Sequence, residues 1–359
     1  MSNKLGKIDH LLFEEIIYSK CGYKRREVNP GPGFGIDVSV IELPGEMAIA
    51  VTSDPLSLIP SLGLEESAWL SVQLIANDIA TTGFAPMYGQ FVLNLPANLS
   101  TNDFKIYWEY IHKFCSDAGI AITGGHTGFI EGQNSTIAGG GTLFTIAPRS
   151  QILTSSNARP GDAILVTKEC AISSSSILAM SFPETVKNKS GNEVFLKACE
   201  MFYETSSLND ALAAVGKKNR NTGTEKTDDI SVTAMHDVTE GGVLGAIYEL
   251  ARASQNGAVV YNEHLPVGRV PAKICSLFSI DPRHCIGAGS MIITCRKDNA
   301  HLVIERLGRE NIPCCAVGEI VEKESGIRLV ENGMENDLVY HEEDPYWASF
   351  FNAFKKGWK

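Results

Sequence analysis

Five residues, Asp37, Asp54, Asp78, His126 and Asp237, lie where an apolar stretch gives way to glycines or other small residues. A rigid apolar element ending in a small-residue turn is a good place to hold a reacting side chain. Carboxylates gathered this way from distant parts of a chain suit Mg²⁺, which takes a few carboxylate oxygens and completes its shell with water and substrate phosphates. Each residue also has a plainer reading. An Asp beside a glycine is ordinarily a turn residue or a cap, and the pair Asn77-Asp78 reads equally as a helix end bonded to nearby backbone. His126, within Thr123-Gly124-Gly125-His126-Thr127-Gly128, reads as a general base, a metal ligand or a phosphate donor, or as a residue that only orients its loop.

The elements that must position these groups are legible in outline. Asp78 belongs to Leu64 to Pro86, where Trp69, Val72, Leu74, Ile75, Ile79 and Ala80 recur at helical spacing, Glu65 and Glu66 occupy the first turn, and Gly83 and Pro86 stop the run. The stretch predicts a buried helix, in which a carboxylate is costly unless something positive or a set of donors meets it. Asp37 opens an alternating run to Ile41 behind glycines 31, 33 and 35, and Asp54 closes a second run from Met47 to Thr52. Those glycines permit close backbone approach to a ligand or serve as a hinge.

A strand at Met87 to Leu95, a helix at Asn102 to Ala118, the run Ile120 to Ile122 opening into the His126 turn, and a strand at Thr136 to Ala147 complete a mixed α/β (α+β) first domain, residues 1–152. An irregular connection from Thr154 to Asp162 leads into a second domain, 153–335, followed by an amphipathic, aromatic tail, 336–359. Asp237 and Gly241 fall between a strand at Ile230 to Met235 and an apolar helix at Val243 to Ala253. That arrangement sets backbone N–H groups and acids at one sheet edge, a favoured ligand position. Lys7 to Ser19 is expected to form an amphipathic helix, and the polar Lys217 to Asp229 a surface loop.

Composition removes several function classes. At 359 residues the chain exceeds one ordinary domain, which favours two. A net charge of −11 argues against a broad nucleic-acid surface, yet a polyanion can still be held through divalent cations. No run approaches the ~18 apolar residues of a membrane helix and the N-terminus has no signal-peptide core, so a cytoplasmic protein without a membrane partner is expected. The nine scattered cysteines contain no C-x-x-C pair, which suits reduced thiols better than a disulfide framework or zinc site. There is no P-loop.

The ordered set G-P-G-F-G-I-D (31–37), T-S-D-P (52–55), A-N-D-I-A-T-T-G-F-A-P (76–86), T-G-G-H-T-G (123–128), A-R-P-G-D (158–162) and H-D-V-T-E-G-G (236–242) resembles the aminoimidazole-ribonucleotide synthetase-like superfamily. The group also includes the hydrogenase-maturation protein HypE, thiamine-monophosphate kinase and selenophosphate synthetase. The resemblance runs from about residue 30 to 330. It implies an ATP-binding, Mg²⁺-dependent fold of two α/β domains that forms a homodimer by joining N-terminal strands into a shared barrel. By motif it implies metal ligation by Asp37, Asp54, Asp78 and Asp237, and nucleotide contacts from Gly33, Gly35, Asn77, Gly124, Gly125, Thr127 and Gly241. It sets His126 and Asp78 beside the transferred phosphoryl group.

The implied chemistry is phosphorylation of an amide- or acid-like oxygen, with HypE-like proteins the nearest in tone and an unidentified small-molecule or protein-borne substrate. Two departures open alternatives. Gly-Gly-His-Thr and Cys21-Gly22-Tyr23-Lys24 are similar to selenophosphate synthetase, so a kinase of that kind is a second reading, with Cys21 read otherwise as an ordinary helix-end cysteine. The chain ends Gly357-Trp358-Lys359 without the terminal cysteine of HypE, and Ile36-Asp37 stands where several relatives carry two acids; both features suit a non-catalytic nucleotide-binding maturation or scaffold protein.

Overall fold

The computed structural model describes residues 6–216 and 232–359; the loop expected at Lys217 to Asp229 lies outside them. The first half contains α1 (His10–Ile16), β1 (Ser39–Glu42), β2 (Met47–Ser57), α2 (Leu64–Ala80), β3 (Tyr88–Pro96), α3 (Thr101–Ala118), β4 (Ala121–Ile130) and β5 (Ile137–Pro148). Its strands form one sheet in the order β1-β2-β5-β3-β4. All neighbours are antiparallel except β3 and β4, whose parallel pairing requires the crossover that α3 supplies.

The ends of α3 are written in the sequence. Ser100 accepts from the Asp103 N–H at the N-terminus, and Gly119 takes a left-handed conformation past the last turn. α2 and α3 cover one face of the sheet, packing Val72, Ile75, Ile79, Tyr107 and Ile111 against Ala50, Leu56, Phe91, Leu93 and Leu143. Full burial of a side chain such as Ile75 or Leu93 contributes roughly 1.5–3 kcal/mol. Among the described residues, no element of this half covers the opposite face at Val92, which is 42% exposed.

The second half is built on a sheet of β6 (Asp162–Thr167), β7 (Val232–Asp237), β8 (Gly257–Tyr261), β9 (Met291–Arg296), β10 (Cys314–Val321), β11 (Ile327–Glu331) and β12 (Met334–Asp337), in the order β12-β11-β8-β10-β6-β9-β7. Its helices are α4 (Ile172–Ser181), α5 (Pro183–Ser190), α6 (Asn192–Glu200), α7 (Leu208–Ala214), α8 (Gly242–Ala253), α9 (Arg269–Phe278), α10 (Ala300–Arg309) and α11 (Pro345–Lys355). α8 carries Val243, Leu244, Ile247 and Leu250 into a core with Ile164, Val166, Ala258 and Val260, which fixes the turn at its N-terminus. Among the described residues, no helix is long and apolar enough to cross a membrane.

Three sequence expectations change. The Thr123–Gly128 motif is not a turn after a short strand: it lies inside β4, paired along β3 with a register shift at Gly89/Gln90. β2 runs on to Ser57, so Asp54 sits within a strand opposite Gly141 rather than at a strand end. The N-terminal helix is only His10–Ile16, with a 3-10 turn at Tyr18–Lys20. It buries none of its residues, so its amphipathic pattern has no core to extend along.

Candidate functional site

Folding brings four acids of the sequence together, and their electrostatics record it. Asp78 lies in the last turn of α2, where the helix's negative end disfavours a carboxylate and no basic residue offsets it. Its carboxylate accepts from Thr52 Oγ1 at 2.8 Å. Burial, then Asp237, Asp54 and Asp37, push its pKa well above the usual carboxylate range. Asp237 ends β7 and is 4% exposed. Burial and the charge of Asp37 carry it from an ordinary 3.8 to about 7, against the pull of His236 and Lys7. Asp54 is raised to about 6, by burial and by Glu240 and against Lys7.

Asp37 has a different partner. Its two oxygens lie 2.8 and 2.9 Å from His236 Nδ1, with the Ser155 hydroxyl donating at 3.3 Å. The other ring nitrogen of His236 meets Glu249 Oε2 of α8 at 3.1 Å, and the Tyr340 hydroxyl donates to Glu249 Oε1 at 2.6 Å. Burial opposes charging this histidine, but Asp37 and Glu249 outweigh it and raise its pKa well above the ordinary value. Burial likewise opposes charge on Glu249, yet Lys7, His236 and Tyr340 hold it down at about 2. The Asp37–His236–Glu249 relay therefore clamps the glycine-rich segment to α8. Gly35 shows how close that contact is: at φ +71°, a Cβ would stand 2.4 Å from the Glu249 carbonyl oxygen.

A pocket of about 300 Å³ opens beside Asp37, lined by Phe13, Pro32, Gly33, Ile36, Val51 and Thr52 among others. The hard oxygen donors of Asp54, Asp78 and Asp237 fit Mg²⁺ in kind, and their mutual repulsion favours a cation among them. They are not drawn into one tight shell. Among the described residues, the only three potential ligands with atoms all within 4.8 Å of one another are Asp9, His10 and Glu342. Acids spread in this way suit ions that keep waters and bridge through phosphate.

Other expected residues lie elsewhere. Asn77 turns from Asp78 to the second domain: its amide donates to the Thr205 carbonyl at 2.9 Å and accepts from the Ser207 N–H at 2.8 Å. Gly241 gives its N–H to Asp344 Oδ2 at 2.8 Å, so the tail caps the helix end that the sequence offers to a phosphate. Gly124, Gly125, His126 and Thr127 lie on the edge strand β4. The cross-strand row His126–Val92–Gly140–Pro55 puts His126 three strand spacings from the Asp54 strand, about 14 Å within one chain. Cys21 is exposed and donates back to the Ile17 and Tyr18 carbonyls at 3.3 Å. Sequence reasoning missed His236 and Glu249, although the first stands inside the H-D-V-T-E-G-G run. Pairing across 199 and 13 residues leaves no local signal.

Comparison with known proteins matches residues 35–146 to the N-terminal domain of AIR synthase related protein and 159–331 to its C-terminal domain. A hydrogenase expression/formation protein of Methanocaldococcus jannaschii is 24% identical over 304 residues, covering 84% of each chain. A selenide, water dikinase of Methanococcus maripaludis is 26% identical over 318 residues, covering 84% of this chain and 89% of its own. The fold matches HypE from a HypE–HypF complex with a TM-score of 0.70 at 18% identity, over 92% of this chain and 99% of that one. It matches HypE in complex with ATP with a TM-score of 0.67 at 18% identity, over 96% and 98%.

Proposed function

The chain belongs to the AIR synthase related protein family, and from that premise we propose that it is an ATP-dependent, Mg²⁺-requiring enzyme. It transfers the γ-phosphoryl group to an amide- or acid-like oxygen of a small molecule or a protein-borne group. The observation that carries this reading is the convergence of Asp54 and Asp78 from one domain with Asp237 from the other, each with its pKa raised, beside a pocket under the glycine-rich segment. Three acids that repel one another, Asp237 buried and Asp54 and Asp78 half-buried, are a poor structural device, because each costs stability when ionised. They make sense as a holder for cations.

In the reaction the bond from the γ-phosphorus to the bridging oxygen breaks, ADP departs with that oxygen, and a new bond forms to the acceptor oxygen, which becomes a leaving group. Bound Mg²⁺ supplies charge neutralisation for the triphosphate. The chain's own part is positioning. Asp54, Asp78 and Asp237 hold the ions, while the Asp37–His236–Glu249 relay fixes the segment that covers the nucleotide. The ATP-bound HypE match supports the nucleotide.

The working unit in this proposal is a homodimer. The edge strand β4, where Phe129 is exposed, and the sheet face that leaves Val92 exposed support association of two copies. With His126 about 14 Å from the Asp54 strand in one chain, its proposed place at the transferred phosphoryl group requires the second copy. Titrating ATP with Mg²⁺ into the wild type and Asp78→Asn by calorimetry tests the reading. Wild-type binding that requires Mg²⁺, lost in a folded Asp78→Asn chain, is expected; unchanged affinity removes Asp78 from the site.

A further inference from the structure

The segment just before α1 runs along the turn that carries Asp237. Lys7 donates its backbone N–H to Glu240 Oε2 at 2.8 Å and its ammonium to Thr239 Oγ1 at 2.9 Å, and the ammonium stands 3.9 Å from Glu249 Oε2. Glu240 is held from its other side by Trp347 Nε1 at 3.1 Å. The approach is tight enough to need glycine next door: at Gly6, φ +96°, a Cβ would lie 2.5 Å from Glu240 Oε2 and 2.9 Å from Trp347 Nε1. Three residues on, His10 binds Glu342 through backbone and ring, and its ring packs 5.3 Å from that of Phe34 in the glycine-rich segment. The strap is thus pinned at Lys7 and again at His10, and Phe13 of α1 lines the pocket beside Asp37.

What this pinning fixes in space is one positive charge. An ammonium has three donors, and Lys7 gives one of them to Thr239. Its side chain remains 52% exposed, with the ammonium 3.9 Å from the buried carboxylate of Glu249. Its ammonium sits on Thr239, two residues past Asp237, and 3.9 Å from Glu249 Oε2, and its charge lowers the pKa values of Asp54, Asp237 and Glu249. Burial works against its charge, but Glu249, Asp237, Glu240 and Asp37 outweigh that and raise its pKa, so it stays protonated through neutral pH.

We propose that Lys7 is a phosphate-binding residue of the nucleotide site, its strap-held ammonium meeting a terminal phosphate oxygen of the triphosphate that the acids hold through cations. The proposal rests on the ATP reading above and adds to it a residue outside both family domains, which begin at residue 35. Lysine suits the role as a compact point charge on a flexible stem. The plainer alternative is a tether that only anchors the N-terminal segment, and in that case the amine's charge has no bearing on ligand charge.

Calorimetry on the full chain with MgATP and, separately, AMP distinguishes the two. Lys7→Met is expected to weaken MgATP at least ten-fold while changing AMP less than two-fold, with Lys7→Arg restoring most of the loss. Glu240→Gln, which loosens the strap but keeps the amine, is expected to fall between wild type and Lys7→Met. If wild type binds MgATP and Lys7→Met binds it equally well, the inference fails alone and the ATP reading stands. Equal loss for MgATP and AMP assigns Lys7 to anchoring and overturns the inference. No MgATP binding by wild type ends both.

Discussion

Replacing Asp237 by Asn should stabilise the ligand-free protein and destroy its response to MgATP. Asn keeps the shape of the side chain and removes a charge that the fold holds at a disadvantage. A pKa carried from 3.8 to about 7 corresponds, at 1.36 kcal/mol per pH unit, to about 4 kcal/mol of penalty for the ionised form. Because the folded value lies above the unfolded one, the native chain retains the proton longer. The penalty is absent below about pH 4, grows as pH rises toward 7, and is constant above that. Neighbouring acids relax when one charge is removed, so the recoverable part is about 2–4 kcal/mol at pH 8. At about 2.1 cal/mol/K of unfolding entropy per residue, 359 residues turn this into a rise of about 3–5 °C in melting temperature, shrinking to nothing near pH 4. Wild type at a hundred-fold excess of MgATP over its Kd should gain about 2.7 kcal/mol, and Asp237→Asn should gain almost none. Thermal unfolding at pH 4 and pH 8, with and without MgATP, reads both effects. A variant less stable than wild type at pH 8, or one that keeps the ligand-induced shift, would refute the reasoning, since Asp237 would then be an internal salt-bridge partner and not a cation holder.

His236→Gln should act in the opposite sense. It leaves the Asp37 and Glu249 carboxylates buried without the charge between them, an arrangement worth about 3–5 kcal/mol, and urea unfolding at neutral pH should show a loss of that size. Phe129→Lys, on the unpaired edge strand where the ring is 52% exposed, should convert a dimer to a monomer in sedimentation equilibrium with little change in the monomer's far-ultraviolet dichroism.

The helices and strands with a clear apolar period were legible in the sequence: α2 starts at the expected Leu64, and α3, α8, β3 and β8 stand within a residue or two of the expected places, while β2 and β4 run several residues further. What escaped was polar or non-local. α5, Pro183–Ser190, reads Pro-Glu-Thr-Val-Lys-Asn-Lys-Ser and has only Val186 and Ser190 buried, so no stripe marks it. The glycines of the Thr123–Gly128 motif suggested a turn, but their lack of side chains equally lets β4 lie against β3, and the pairing decided. Asn77 and Asp78 are adjacent in sequence and face opposite ways, one to the backbone at 205–207 and one to Thr52. On a helix neighbouring residues diverge by about 100°, so adjacency there could not imply a shared ligand.

The same geometry narrows the metal set. Asp37 was expected to bind cations because it follows the glycine-rich segment, yet both of its oxygens lie on His236. A carboxylate bound to an imidazolium that is itself bound to Glu249 would have to surrender that partner to take a cation, leaving His236 charged beside the newcomer. The like charges would oppose binding. In the proposed reading the single acid at 37 therefore serves as a clamp, and the cations are assigned to Asp54, Asp78 and Asp237, whose pKa values burial and neighbouring acids raise in spite of Lys7 near Asp54 and Asp237. Since Asp37 and Asp237 also act on each other, a cation at Asp237 reduces the negative field around Asp37. That makes the clamp and the cation site parts of one charge balance rather than two separate features.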